Sequence, residues 1–335
     1  MARGPFIAVL GFAFAASVAS SANAATTWDY YLYTGATHPI TVLLKGFTEE
    51  VKKRTNGELI INVRPAGELP FRATEVVKVV GEGQTQMGSA SPGFVGATTP
   101  IATVGNHVGL IRTYDDMEKV WPTIEKYTSK HFEQAGAKIL FHWSWPTQHV
   151  FGTAAAQPIH TLEDFKGRKL RTVAPEEAVM LKRLGAASIS LTTPEVPVAL
   201  DRGVVHGLIS AAFNVVGSNW QDQLKWVWVS ELHMGGPNYE LVNIKAYNAL
   251  PANVRATLDQ VAKEWTGKMN QTIGAQDAND LKALGEKYKL QLVKARPEDL
   301  AKLHDVMQDY WDAWAKEQGP DGVAMMKEIR SQLGR

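Results

Sequence analysis

The spacing of hydrophobic positions changes repeatedly along the chain, and each change marks an element. Apolar or alternating runs predict strands over residues 28–34 (WDYYLYT), 58–64 (ELIINVR), 138–143 and 168–173 (RKLRTV). Ile40, Leu43, Leu44, Phe47 and Val51 follow helical spacing between the first two strands, and Asn56-Gly57 supplies a stop. Residues 71–82, with Val76, Val77 and Val80, predict a second helix, and residues 86–91 a short strand opening into a loop. Residues 115–136 are helical in pattern but interrupted by Pro122. The same grammar recurs further on, with a helix over 175–184 closed by Gly185. Thr193 is expected as an N-cap, with Pro194 at the first helical position and Glu195 in the first turn. That helix ends near Gly203, and residues 205–209 predict the next strand. Residues 251–288 have no internal proline and predict one helix of about 38 residues, roughly 57 Å long. Such a length exceeds one small domain and implies a helix that crosses two. Two more helices, over 298–318 and 322–333, complete the chain. Strands alternating with amphipathic helices argue for an α/β fold.

The amino terminus changes the picture of where the chain works. Arg3 precedes an apolar run over residues 6–18, and small residues follow, ending in Ala22-Asn23-Ala24. This is the pattern of a secretory signal peptide over residues 1–24, with a mature chain from near Ala25 in the periplasm. The run is short for a membrane-spanning helix, and an uncleaved anchor or a buried helix is the alternative. The chain has no cysteine, which excludes disulfides, a cysteine nucleophile, cysteine metal ligands and a lipoprotein anchor. Lys and Arg number 35 against 34 Asp and Glu; removal of Arg3 with the signal leaves 34 against 34. No basic stripe with interleaved aromatics is present, so nucleic acid is not an expected partner. About 310 mature residues suggest two domains rather than one core.

A series of motifs with fixed spacing carries more. Leu162-Glu163-Asp164-Phe165-Lys166-Gly167-Arg168-Lys169-Leu170-Arg171-Thr172 is followed by Leu184-Gly185-Ala186, by Glu195-Val196-Pro197-Val198-Ala199-Leu200, and by Gly203-Val204-Val205-His206-Gly207. Thr37-His38-Pro39, Pro65-Ala66-Gly67-Glu68-Leu69 and Ala249-Leu250-Pro251 flank this block. Across nearly the whole mature chain, these residues resemble the substrate-binding proteins of tripartite ATP-independent periplasmic (TRAP) transporters, the DctP-like family.

The resemblance implies a two-lobed periplasmic binding protein of type II-like α/β architecture, with a long helix crossing both lobes. The expected lobes are 25–148 plus 237–275, and 149–236 plus 276–335. It also implies that Arg171 pairs with a ligand carboxylate. Arg171 ends a predicted strand, where open α/β sheets place ligands, and its planar guanidinium matches a carboxylate. Sialic-acid-type members carry a second arginine where this chain has Phe151. They carry an asparagine where it has Ala211, flanked by Ser210 and Asn214. Loss of those polar groups, with Trp143 or Trp145 nearby, suggests a monocarboxylate with an apolar or aromatic part. Trp143 and Trp145 have a core placement as the alternative. Arg72 is a possible second cationic contact or a solvated helix start. Ser91, with Ser89 and Ala90, forms a small-residue edge, and Asn238 with Tyr239 lies near the expected crossover.

No G-x-S-x-G, P-loop or H-E-x-x-H occurs, and no acid–base pair or metal set stands out among the scattered histidines. No cofactor and no covalent chemistry are expected. The expected protein is a monomer that closes around a small-molecule carboxylate and delivers it to separate small and large TRAP membrane subunits. The rival readings are a periplasmic hydrolase or lyase acting on a small carboxylate, and a ligand-sensing protein.

Overall fold

The computed structural model describes residues 25–335 together with Met1 and Gly4. The expected signal peptide therefore lies outside the described residues. Among those residues, eleven strands run β1 (Thr26–Tyr31), β2 (Leu59–Arg64), β3 (Met87–Ala90), β4 (Ala137–Ser144), β5 (His149–Gly152), β6 (Lys169–Thr172), β7 (Ala187–Ser190), β8 (Gly207–Ser210), β9 (Trp226–Val229), β10 (Pro237–Asn243) and β11 (Gln291–Lys294). They form two mixed sheets, ordered β2-β1-β3-β10-β4 and β11-β9-β5-β8-β6-β7. In the first, β1 is parallel to β2 and β3, and β10 runs antiparallel between β3 and β4. In the second, β6 is parallel to β7 and β8, while β5 is antiparallel to β8 and β9.

The chain passes from the first sheet to the second after Ser144 and returns before Pro237. These two crossover segments pair with each other. Thr147 and Met234 form an antiparallel bridge, Gln148 N–H donates to His233 O at 2.8 Å, and Leu232 N–H donates to Gln148 O at 3.0 Å. The third connection is the long helix Ala252–Glu286, 35 residues or about 52 Å. Over its first two-thirds, Val254, Leu258, Trp265 and Ile273 pack into the core beneath the first sheet. Leu284 near its end belongs to the core of the second. It thus spans both sheets, as its uninterrupted pattern predicts.

Several boundaries differ from the sequence reading, each for a physical reason. Helix Tyr114–Gln134 runs unbroken through Pro122. The proline removes one internal hydrogen bond, but tertiary packing holds the helix. Val120 and Ile124 are fully buried, and Trp121 stacks on His142 at 3.5 Å between centroids. The N-cap near residue 193 is Thr192, whose N–H and hydroxyl both reach Glu195, so the turn begins one residue earlier. The region 71–82 starts as a 3-10 turn at Ala73–Glu75 before helix Val76–Gly81. The last helix, Gly319–Leu333, packs on helix Tyr114–Gln134, which covers β4 of the first sheet. Lys126 meets Glu328 at 3.0 Å, and Arg335 meets Asp116 at 2.8 Å. The carboxyl-terminal segment therefore leaves the second sheet after β11 and rejoins the side of the first.

Burial perturbs many ionisable groups. It pulls His38, His149 and His304 down to about 4, and His107 and His142 to about 3. It pushes Glu176, Glu240 and Asp277 up to about 7. Between pH 6.5 and 5, protons accumulate on the five histidines of the unfolded chain that the fold refuses, reaching nearly five, while the fold retains up to three carboxyl protons that the unfolded chain largely lacks. Stability must then fall on acidification through that window. Above about pH 7, the three carboxyls reverse the sign and stability declines again. Calorimetry is expected to give a higher melting temperature near pH 6.5 than at pH 5 or pH 8.5; a maximum at pH 5 would contradict these assignments.

Candidate functional site

A cavity lies between the two sheets, lined by residues from both of them and from the crossovers. It forms where the carboxyl ends of parallel strands converge from both sides. Tyr33 follows β1 and Ser91 follows β3 in the first sheet. Arg171 and Ser210 lie at the ends of β6 and β8 in the second. The crossover segments add Trp145, Gln148, His233 and Gly235.

Arg171 is the dominant charge. It is 2% exposed, donates from Nε to Leu191 O at 3.0 Å, and lies 3.5 Å from Ile209 O through Nη1. Among the described residues, no carboxylate lies within 4 Å of the guanidinium and no hydrogen bond reaches Nη2. Burial pulls Arg171 down to about 10, against the pull of Glu177 and Glu195, so it remains a cation at neutral pH.

The nearby carboxylate is already engaged. Glu177 Oε2 accepts the N–H groups of Val173 and Ala174 at 3.1 and 3.3 Å, closing the start of helix Pro175–Arg183. Its Oε1 faces His233 Nε2 at 3.3 Å, while His233 Nδ1 contacts Met234 O. Glu177 is thus engaged by two backbone N–H groups and by His233. That leaves Arg171 as a cation of the cavity without a carboxylate partner among the described residues.

Asn214 ties the two sides of the cavity together. Helix Ala212–Gly217 follows β8 in the second sheet, and His38 caps helix Pro39–Arg54 beside the first. His38 Nδ1 accepts Ile40 N–H, so Nε2 donates to Asn214 Oδ1 at 3.2 Å. Asn214 Nδ2 in turn donates to Ser210 Oγ at 2.9 Å. Behind the opposite wall, the Trp145 indole donates to Tyr33 Oη at 3.1 Å, and Tyr33 donates to Asn238 Oδ1 at 2.5 Å. Asn238 donates to Ser89 Oγ and Glu240 Oε1, both at 2.8 Å.

Of the nine residues expected from sequence, the cavity wall thus holds Arg171, Ser91, Trp145, Ser210 and Asn214. The other four lie elsewhere. Phe151 is fully buried on the central strand β5, both faces of which are covered, and packs with Val196, Leu208 and Val227. Trp143 is also fully buried, its indole N–H bonded to Glu240. Asn238 stands one layer behind Tyr33. Arg72 is exposed as the N-cap of the turn Ala73–Glu75. The apolar wall comes instead from Phe94, Trp145, Val173 and Ala174. Sequence reasoning missed Tyr33, Asn106, Gln148, Glu177 and His233. Tyr33 alone left a signal, as the end of a predicted strand.

The sequence profile of the DctP family, described as bacterial extracellular solute-binding protein family 7, matches residues 32–318. A solute-binding protein of Albidiferax ferrireducens is 23% identical over 185 residues, 55% of this chain and 53% of that protein. The C4-dicarboxylate-binding periplasmic protein DctP of Rhodobacter capsulatus is 26% identical over 85% of both chains. The crystal structure of DctP7, a Bordetella pertussis extracytoplasmic solute receptor binding pyroglutamic acid, superposes with a TM-score of 0.85. It covers 91% of this chain and all of that one at 23% identity. The family profile spans most of the chain, and two sheets joined by crossovers around a central cavity agree with it: the chain belongs to family 7 of the bacterial extracellular solute-binding proteins.

Proposed function

We propose that this chain is the periplasmic receptor of a TRAP transporter and that Arg171 holds the carboxylate of an organic acid between its two lobes. The observation that carries this reading is a buried guanidinium in a cavity with no carboxylate within 4 Å among the described residues. One cation without a partner favours one carboxylate, since a second would enter the low-dielectric site uncompensated. The body of the acid packs against Phe94, Trp145 and Val173. DctP7 binds pyroglutamic acid and the Rhodobacter relative C4-dicarboxylates, and both belong to the same broad ligand class. The lobes correspond to the two sheets, hinged at the paired crossovers and the long helix. The protein acts as a monomer without covalent chemistry and hands its ligand to separate membrane subunits. A signal peptide ending near Ala24 delivers it.

Closure follows from differential affinity: the ligand favours the form in which groups from both sheets surround it. Tyr33 and Ser91 belong to one side, Arg171 and Ser210 to the other, and His38–Asn214 joins the rims. Small-angle scattering is expected to show a smaller radius of gyration at saturating organic acid than in its absence. An identical profile in both states would refute closure.

A further inference from the structure

Two carboxamides in the cavity wall have polar atoms that the protein leaves unpaired. Asn106, which ends the 3-10 segment Pro100–Asn106, is 2% exposed, and Gln148 on the first crossover is 6% exposed. Gln148 Nε2 donates to Pro146 O at 2.7 Å, which fixes the amide and turns Oε1 away as an acceptor. No hydrogen bond from the described residues reaches Gln148 Oε1 or either polar atom of Asn106. Both side chains line the same cavity as Arg171. Of these three atoms Asn106 Oδ1 is fully buried, while Asn106 Nδ2 and Gln148 Oε1 keep some accessible surface in the wall, where a bound molecule can pair with them.

The backbone is shaped around them. Gly235 and Gly236 on the return crossover lie against both side chains. A Cβ at Gly235 would stand 2.8 Å from Gln148 Nε2, and one at Gly236 would stand 2.4 Å from Asn106 Oδ1. Gly236 also has φ +78°, which disfavours other residues. Consecutive glycines therefore leave room for both carboxamides, which any side chain at these two positions would displace.

We propose that Asn106 and Gln148 recognise a secondary amide on the ligand, a lactam, imide or acylamino group. Asn106 Nδ2 donates to its carbonyl and Gln148 Oε1 accepts its N–H. A carboxamide donor and a carboxamide acceptor in one cavity are complementary to a group that offers both C=O and N–H. The ligand is then an amide-bearing carboxylic acid, which rests on the reading of Arg171 as its carboxylate anchor.

The test is a calorimetric titration of the full mature chain with three matched pairs: pyroglutamate against cyclopentanecarboxylate, orotate against benzoate, and N-acetylglycine against valerate, with lactate as a hydroxy acid. The tightest ligand is expected to be an amide acid, preferred over its amide-free counterpart by about tenfold or more. Asn106→Ala and Gln148→Ala are each expected to reduce that preference to below about threefold. A wild-type protein that binds an amide-free acid or lactate as tightly as every amide acid overturns the inference, whether or not the variants fold. So does a preference that survives both substitutions. If Arg171→Ala abolishes binding of amide and amide-free acids alike and no amide preference exists, only this inference falls. If no acid binds, or binding ignores Arg171, the carboxylate reading falls with it.

Discussion

Replacing Arg171 with alanine is expected to remove about 2–5 kcal/mol of ligand affinity, roughly thirtyfold to several thousandfold, without lowering the melting temperature of the ligand-free protein. The two halves of this expectation share one cause. The guanidinium is buried without a carboxylate, and burial pulls its pKa down to about 10, so its charge is unfavourable in the empty fold. Its protein contacts are carbonyl oxygens of Leu191 and Ile209 and, at 5.7 Å, the face of Trp220. Those carbonyls can turn to solvent that fills the enlarged cavity. Arg171→Lys keeps the charge but loses the planar fork and is expected to bind poorly too. Calorimetry on both variants, with melting curves of the free proteins, measures the two halves separately. Near-native affinity in Arg171→Ala would remove the assigned anchor.

Glu240→Leu is expected to have the opposite profile, a large loss of stability on the order of 3–5 kcal/mol. Glu240 is fully buried on β10 and accepts hydrogen bonds from four side chains: Tyr30, Ser89, Trp143 and Asn238. Desolvation still outweighs those bonds and pushes the carboxyl up to about 7. A leucine would leave donors on β1, β3, β4 and β10 unpaired in the middle of one sheet. Glu240→Gln retains one acceptor oxygen but turns an amino group toward the donors, so an intermediate loss is expected. Asn238 also fixes Tyr33, whose ring lines the cavity, and folded Glu240→Gln should bind ligand more weakly than wild type. Denaturant unfolding that places Glu240→Leu within 1 kcal/mol of wild type would show that the network contributes little.

The architecture was legible because it rests on local periodicity. Long amphipathic stretches such as 252–286 and short apolar runs such as 59–64 declare themselves whatever surrounds them. Strands β5, β7, β9, β10 and β11 did not, because four-residue or fully buried strands carry too little alternation to stand out. WVWV at Trp226–Val229 and HVFG at His149–Gly152 have no solvent face to mark. Pro122 misled for the converse reason: propensity argued for a break, and packing of Trp121 on His142 overrode it. At the site, Arg171 stood in a recognisable motif at a strand end. Phe151 and Trp143 sat at plausible positions along the chain, but their direction depended on which faces the second sheet and helices covered. Asn106, Gln148 and His233 reach the cavity through crossover geometry and glycine packing that no short-range pattern records.

The most direct test is a crystal structure of the mature chain with its tightest-binding organic acid. A carboxylate oxygen is expected at about 2.7–2.9 Å from Arg171 Nη2, with Tyr33 and Ser91 of one lobe and Ser210 of the other enclosing the same molecule. An acid bound with its carboxylate away from Arg171, or held by one lobe alone, would contradict the account.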